Sequence, residues 1–280
     1  MTIYNVENRK FMSKQLLLNK IRYLALGFIL GVIYMSVISK VTFTNEGVHN
    51  DTAVDIFTFS YYRRLLKEMI QDRYLVLKVV DFISLARKGM LPGDKVIIIL
   101  RHDVDFSINS AKIMSKIEYE YGIRSTYYIR TRGPYNILDK SNSEWLRWLY
   151  ANNFEVGLHY ETLFFADYNF SAAEVLLIKD VNLLRGTVPV YTICFHGNIA
   201  KPTYVNYEIL IRNPNLLDEL ELEGEAYLTI RDIVRSCDRT YRYLSDTNGR
   251  WIDWIKELEN SDPGSITYIL IHPDWWREGN

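Results

Sequence analysis

The sequence predicts an α/β protein: a barrel, or a distorted barrel, of parallel strands with helices packed outside. Three observations predict it. From residue 96 onward, strand-like and helix-like stretches alternate, and parallel strands need such crossovers. Strands such as "VIIIL" are continuously apolar rather than alternating, as in a sheet buried on both faces. The number of units suits a curled sheet better than a flat nucleotide-binding one, and no GxGxxG or GxxxxGK[ST] follows any strand.

The elements follow in chain order. Residues 23–39, "YLALGFILGVIYMSVIS", carry no charge over seventeen residues. A helix of that length spans ~26 Å, close to a hydrocarbon core of ~30 Å, and flanking Lys and Arg can snorkel to make up the difference. A buried core helix is the plainer alternative, but a run apolar on every face is unusual in a water-soluble fold. A cleaved leader is another, although "VISKVTF" lacks a small-x-small cleavage site. The segment therefore reads as a transmembrane helix, with residues 1–22 as a short tail. Arg9, Lys10, Lys14, Lys20 and Arg22 precede it, and Lys40 is the only basic residue among the twenty that follow. The positive-inside rule then leaves the amino terminus in the cytoplasm and the remainder on the extracytoplasmic side. Asn50 and Asn169 begin N-x-S/T triplets, which chance also produces.

Residues 40–56 read as a polar linker and 57–280 as the folded domain. "FTFSYYRRLLKEMIQ" has apolar pairs at helical spacing, with Ser60 as its cap. "YLVLKV" reads as a strand, "DFISLARKG" as a helix closed by Gly89, and "LPGDK" as a turn. Strand "VIIIL" and helix "SINSAKIMSKIEYEYG" follow, then strand "RSTYYIR" and helix "SEWLRWLYANN". Strand "EVGLHY", helix "SAAEVLLIKDVNLLRG" and strand "VYTICFHG" continue the alternation. "LLDELELEGEAYL" and "IRDIVRSC" read as helices, "TYRYLSD" as a strand, "WIDWIKELEN" as a helix and "ITYILIH" as the last strand.

A chain of 280 residues is long enough for one large domain or two small ones. Its net charge of −1 gives no basic face for nucleic acid. Two cysteines, Cys194 and Cys237, make no disulfide framework; they form one bridge or remain two thiols. The electrostatics that matter must therefore be local, and they gather in one place. Of five histidines, His49 lies in the linker, while His102, His159, His196 and His272 sit at or just past the carboxyl ends of four strands. Asp103, Asp105 and Asp246 are at strand ends too. In a parallel barrel those ends open onto the one face that carries chemistry. Imidazole nitrogens and carboxylate oxygens suit Zn²⁺ or a similar divalent ion, which lowers the pKa of a bound water to ~7. Side chains two apart along a strand point the same way, so Arg101, Asp103 and Asp105 share a face and His102 points away as a structural residue. One of the two aspartates can bind the ion and the other can act as base.

These motifs, in this order over about residues 57–276, resemble those of the polysaccharide deacetylases, carbohydrate esterase family 4. "RHDVD" occupies the slot of the family's Thr-Phe-Asp-Asp-Gly, in a form associated with a divergent branch. "GLHYETL" keeps His159 of the His-Ser/Thr-x-x-His motif but has Leu163 in place of the second histidine. "ILIHPDWW" matches the closing Leu-x-Leu-His at His272. The resemblance implies a distorted barrel and a single divalent metal, most simply zinc. It implies Asp105 and His159 as metal ligands, with His196 substituting for the missing histidine. Asp103 is then the general base, although the two aspartates can exchange roles, and His272 is the general acid. Arg101, Asp246 and Trp275 are candidate substrate-contacting residues. Arg101 is also placed to pair with a catalytic aspartate or to form a plain salt bridge, Asp246 to orient His272, and Trp275 with Trp276 to form a sugar-stacking rim.

The function so implied is metal-dependent removal of N-acetyl or O-acetyl groups from a glycan or lipid-linked sugar by a membrane-anchored hydrolase. Two alternatives remain open on the same fold. One is a carbohydrate-binding protein that lost activity with the histidine. The other is a hydrolase of a non-peptide C–N bond in a small molecule.

Overall fold

The computed structural model describes residues 56–197 and 205–279. The apolar run at 23–39, the linker through residue 55, His49 and the Asn50 triplet lie outside them. Among the described residues no helix is long and apolar enough to cross a membrane.

The organising element is strand β2 (Val96–Val104), buried along all nine residues. It is long enough to take two successive neighbours on one edge. Its first half pairs with β1 (Tyr74–Leu77), through Tyr74↔Val96 to Leu77↔Ile99. Its second half pairs with β3 (Thr126–Ile129), through Arg101↔Thr126 to Val104↔Ile129. The other edge of β2 carries β8 (Ile266–Ile271). The sheet then runs outward through β4 (Glu155–Tyr160), β5 (Thr192–Phe195) and β6 (Gly224–Glu225) on one side, and through β7 (Tyr241–Ser245) on the other. Every pairing is parallel.

The order β6-β5-β4-β3-β2-β8-β7 is an open path, yet its ends approach each other. Tyr268 of β8 donates a hydrogen bond to the carbonyl of Ala226, just past β6, at 3.1 Å. The Tyr227 and Tyr243 hydroxyls lie 3.3 Å apart across the same seam. The sheet is thus a curled, incompletely closed barrel joined at its seam by side chains.

Strand periodicity of two sorts the residues of β2 by face. Ile97 and Ile99 pack inside the curl with Tyr128, Cys194 and Tyr268. Ile98 and Leu100 pack outside with helix α1 (Phe59–Met69) and with Trp254 and Trp276. Helix α2 (Val79–Arg87) lies across the amino ends of β3 and β4. Its first N–H groups, at Val79 and Val80, donate to Thr126 Oγ1 at 2.9 Å and to Glu155 Oε2 at 3.0 Å. That end of the barrel is therefore plugged, and any opening is left to the carboxyl ends.

Several helices start where a polar side chain caps the first turn. Thr58, rather than Ser60, caps α1: its hydroxyl accepts from the Tyr61 N–H at 3.2 Å, while Ser60 Oγ is bonded to Thr58 itself. Such a cap contributes about 1 kcal/mol. Gly89 ends α2 at φ +66, and its N–H returns to the Ala86 carbonyl, a left-handed closure that glycine adopts without strain. Helix α3 (Ile108–Glu120) follows Ser107, and α4 (Lys140–Ala151) precedes β4. A short turn of helix, α5 (Thr162–Phe165), leads to α6 (Phe170–Arg185), where Asn169 caps the helix by accepting from Ala172 N at 3.0 Å.

Three boundaries differ from the sequence expectation. The strand "YLVLKV" stops at Leu77, because the Val79 N–H is taken by Thr126 and begins a helix. The helix expected over 251–260 is α10 (Trp254–Glu259), opening only after Asp253 caps it. The helix expected over 216–228 does not exist as one element. After α7 (Glu208–Arg212) comes α8 (Leu216–Glu219), then a left-handed Glu221 at φ +51, then β6, and only at Leu228 does helix α9 (Leu228–Ser236) begin. Pairing with β5 decides this: Gly224 and Glu225 join Thr192 and Ile193, and the buried Glu225 carboxylate accepts from Phe195, Tyr227 and Leu228 N–H groups. Cys194 and Cys237 are both free thiols.

Inside the curl, Gly157 of β4 leaves room for a neighbouring ring. A Cβ there would sit 2.3 Å from Tyr128 Cε1 and 2.8 Å from the Thr192 carbonyl oxygen. Gly157→Ala should lower stability by about 1–3 kcal/mol through overpacking. A denaturant midpoint that falls at unchanged slope checks this.

Candidate active site

The carboxyl ends of β2, β4, β5, β7 and β8 bring the polar residues together. Asp103 belongs to the last turn of pleat in β2, and Asp105 follows one residue past its end. Asp274, just after β8, fixes this exit: its carboxylate accepts the backbone N–H groups of Asp105 at 3.3 Å, Phe106 at 3.1 Å and Ser107 at 2.6 Å. His159 is the fifth residue of β4. Its Nδ1–H donates to the Cys194 carbonyl at 3.0 Å, which leaves the Nε2 lone pair facing inward. His196 follows β5, with its backbone held by the Tyr160 carbonyl and by Asn206, each at 2.7 Å.

Asp105 is the meeting point. Its Oδ1 lies 3.3 Å from His159 Nε2 and 3.6 Å from His196 Nε2, and its Oδ2 lies 3.9 Å from His272 Nε2. Donor atoms of Asp105, His159 and His196 all fall within 4.8 Å of one another. The Asp105 Oδ1 is shielded from solvent and makes no hydrogen bond, and the same is true of Asp103 Oδ1 and His196 Nδ1. Buried polar atoms left without partners are costly, and a cation between Asp105 and the two imidazoles would satisfy the first. Burial alone would raise the Asp105 carboxyl, but the three imidazoles outweigh it and hold it below the usual carboxylate range. Two His nitrogens and one carboxylate oxygen fit a divalent ion with positions left open.

A second set, Asp103, His159 and Cys194, also gathers within 4.8 Å. Burial pushes the Cys194 thiol well above its ordinary range, so it stays protonated and donates weakly toward Asp103 Oδ2 at 3.8 Å. An ion there would have to displace the thiol proton, whereas the Asp105 set needs no such step.

The remaining predicted residues fall into two groups. Asp103 is 2% exposed, with Oδ2 3.3 Å from Arg101 Nη2 and 3.7 Å from His159 Nε2. His272 carries its own carboxylate: Nδ1 is 2.6 Å from Asp246 Oδ1, and its backbone N–H donates to both Asp246 oxygens at 3.0 Å. Burial opposes charge on this imidazole, but Asp246, joined by Asp105 and Asp103, pushes it up to about 9.

Burial bears on three of the residues expected to face substrate. Arg101 and Asp246 are each 0% exposed. Both sit behind another group. Arg101 lies 4.0 Å over the Tyr227 ring and donates to the Tyr268 hydroxyl at 2.6 Å, as well as reaching Asp103. Removing it would leave Asp103 uncompensated, a loss of about 3–5 kcal/mol for a buried pair. Asp246 accepts from His272 and from Trp276 Nε1 at 3.1 Å. Trp276 itself is core, with its ring against Phe57 and Tyr62, and cannot be part of a sugar-stacking rim. Trp275 is half-buried, beside Gly249.

His102 turns to the outer face as its parity requires. It is stacked on Tyr127 with ring centroids 4.4 Å apart, and its Nε2 is 2.6 Å from the buried Glu118 carboxylate. Reasoning from histidines and aspartates alone missed Glu161 and Arg130. Glu161 Oε2 is 3.3 Å from His196 Nδ1, and Arg130 hydrogen-bonds Glu161. The signal was there: Glu161 is two residues past His159 and so shares its face.

No protein-family model and no curated protein matches the chain. Among solved structures, the Streptococcus pyogenes deacetylase PplD in complex with acetate aligns at a TM-score of 0.46 and 13% identity, covering 77% of this chain and 81% of that one. The chitin deacetylase from the fungal pathogen Colletotrichum lindemuthianum aligns at 0.41 and 16% identity, covering 65% and 74%.

The His272–Asp246 pair gives a direct test. In the metal-free protein, the ¹⁵N resonances of His272 should titrate with a midpoint near pH 9, protonated below and neutral above. Asp246→Asn removes the opposing charge and should bring the midpoint down toward the ordinary imidazole value. An unchanged midpoint would contradict the assigned cause.

Proposed function

We propose that the protein is a metal-dependent hydrolase that removes acetyl groups from the amino or hydroxyl groups of a glycan or lipid-linked sugar. The single observation that carries this is convergence. Donor atoms of Asp105, His159 and His196 lie within 4.8 Å, with an unpartnered Asp103 oxygen and a carboxylate-held His272 beside them. The motif order around RHDVD, GLHYETL and ILIHPDWW supports the acetyl-transfer chemistry over other metal-assisted hydrolyses.

Asp105, His159 and His196 would hold the ion. When bound, a divalent ion, most simply zinc, supplies a water of lowered pKa and polarises the acyl carbonyl. The protein's own residues then handle the protons. Asp103 presents Oδ1 as the base, while Arg101, backed by the Tyr268 hydroxyl, engages Oδ2 on the far side. His272, charged at neutral pH, delivers a proton to the departing amine. Asp246 binds Nδ1 and so leaves the Nε2 proton as the one donated. Trp275 offers a half-buried ring against which a sugar face can lie.

Anchoring through residues 23–39, with the catalytic domain on the extracytoplasmic side, belongs to the same reading. It would keep the enzyme near a surface-bound glycan, and charge asymmetry around the run supports it. A reporter fused after residue 280 should be active only outside the cytoplasm; cytoplasmic activity reverses the topology.

Metal analysis paired with acetate release from N-acetylhexosamine oligomers tests the chemistry. The full chain should hold one divalent ion, and His159→Ala and His196→Ala should lose it. Asp103→Asn should keep the ion but lower acetate release by about 10²–10⁴-fold, the usual contribution of a positioned base. Retained hydrolysis in Asp103→Asn overturns the base assignment. Glycan binding without metal would instead identify a binding protein, and turnover confined to small soluble amides would identify a different hydrolase.

A further inference from the structure

The two metal-facing imidazoles are oriented in different ways, and the difference carries an inference that rests on the metal-site reading above. His159 lies within a strand, and its Nδ1 is satisfied by the Cys194 carbonyl. His196 lies past the end of β5, and only its backbone is tied by hydrogen bonds. Those bonds do not set the rotation of its ring. Among the described residues, its buried Nδ1 is paired with Glu161 Oε2, at 3.3 Å, while Nε2 points to Asp105 at 3.6 Å.

Glu161 is itself held. Arg130 engages its Oε1 through Nε, at 3.0 Å, and through Nη2. The third guanidinium nitrogen, Nη1, donates to the backbone carbonyl of Asp105 at 2.9 Å. The Arg130 backbone is fixed in turn: its N–H donates to the Tyr135 hydroxyl, which donates to the Val104 carbonyl. A single rigid fork therefore sets the distance between the carboxylate behind His196 and the backbone that carries Asp105.

We infer that Glu161, clamped by Arg130, is the positioning residue that turns His196 into a metal ligand. Its carboxylate, in ion-pair contact with Nδ1 though short of hydrogen-bond geometry, favours the imidazole proton on that atom and leaves the Nε2 lone pair free for the ion. Outer carboxylates of this kind orient ligating imidazoles and raise their basicity. In this chain, where Leu163 stands in the slot of the second motif histidine, the clamp recruits a histidine from another strand end.

A purely structural Glu161–Arg130 salt bridge makes a different prediction. It would affect stability and leave the His196 tautomer and the metal affinity unchanged. The test uses the full chain with Zn²⁺ alone, in competition with a chromophoric chelator. Glu161→Gln should weaken Zn²⁺ binding about 10–100-fold. Arg130→Lys, which keeps the charge but loses the fork, should weaken it by less. ¹⁵N spectra of the metal-free wild-type chain should show His196, assigned by its loss in His196→Asn, protonated on Nδ1. Zn²⁺ affinity in a folded Glu161→Gln equal to wild type overturns the inference. So does a wild-type His196 whose proton is on Nε2, and that measurement does not depend on Glu161→Gln folding. Failure of the wild type to bind Zn²⁺ would overturn the metal-site reading instead, while the tautomer would still decide the link between Glu161 and His196.

Discussion

Three carboxylates, the buried Asp103 and Glu161 and the half-buried Asp105, gather at the mouth of a parallel barrel, and negative charge withdrawn from water must be compensated. Two of them have an arginine. Arg101 reaches Asp103 from inside the curl, and Arg130 grips Glu161 from β3. Asp105 has none; it faces only imidazoles. Its compensation has to come from protons on those rings or from an ion between them, and the two compete for the same lone pairs. The rest of the site is arranged around this requirement. Asp246 charges His272 and Glu161 faces His196, while His159 is fixed by a neutral carbonyl.

The scaffold supplies the rigidity that such charge requires. Strand β2 is hydrogen-bonded on both edges and covered on both faces, so Asp103 and Asp105 leave it with little freedom. Its outer face carries a separate polar network in which buried Glu118 meets Tyr62, His102, Ser125 and Tyr127. That network ties α1 and α3 to β2 and β3 at the level of Asp103 and Asp105. Positioning on such an element is tighter than on a free loop.

Much of this was legible in the residues, for identifiable reasons. The period of two along "RHDVD" separated Arg101, Asp103 and Asp105 from His102 before any coordinates, because parity survives tertiary packing. The alternation of strand and helix was equally clear from residue 96 to 195. It failed at 216–228, where a leucine- and glutamate-rich run has helical propensity but two of its residues are captured by the edge of β5. Depth was the other thing not written in the sequence. Arg101 and Asp246 stand at strand ends as the pattern said, but only packing reveals that each lies behind another residue. Glu161 and Arg130 escaped notice because neither is a histidine or an aspartate, although both occupy strand-end positions.

The seam between β6 and β7 gives the barrel a property that a closed one lacks. No ladder joins those two strands; Tyr227, Tyr243, Tyr268 and the Arg101 guanidinium fill the gap. A wall made of phenol rings meeting edge to face can widen or narrow without breaking a backbone hydrogen bond. Arg101 belongs both to that wall and to the pair with Asp103, so a change in the girth of the barrel is transmitted to the Asp103 carboxylate.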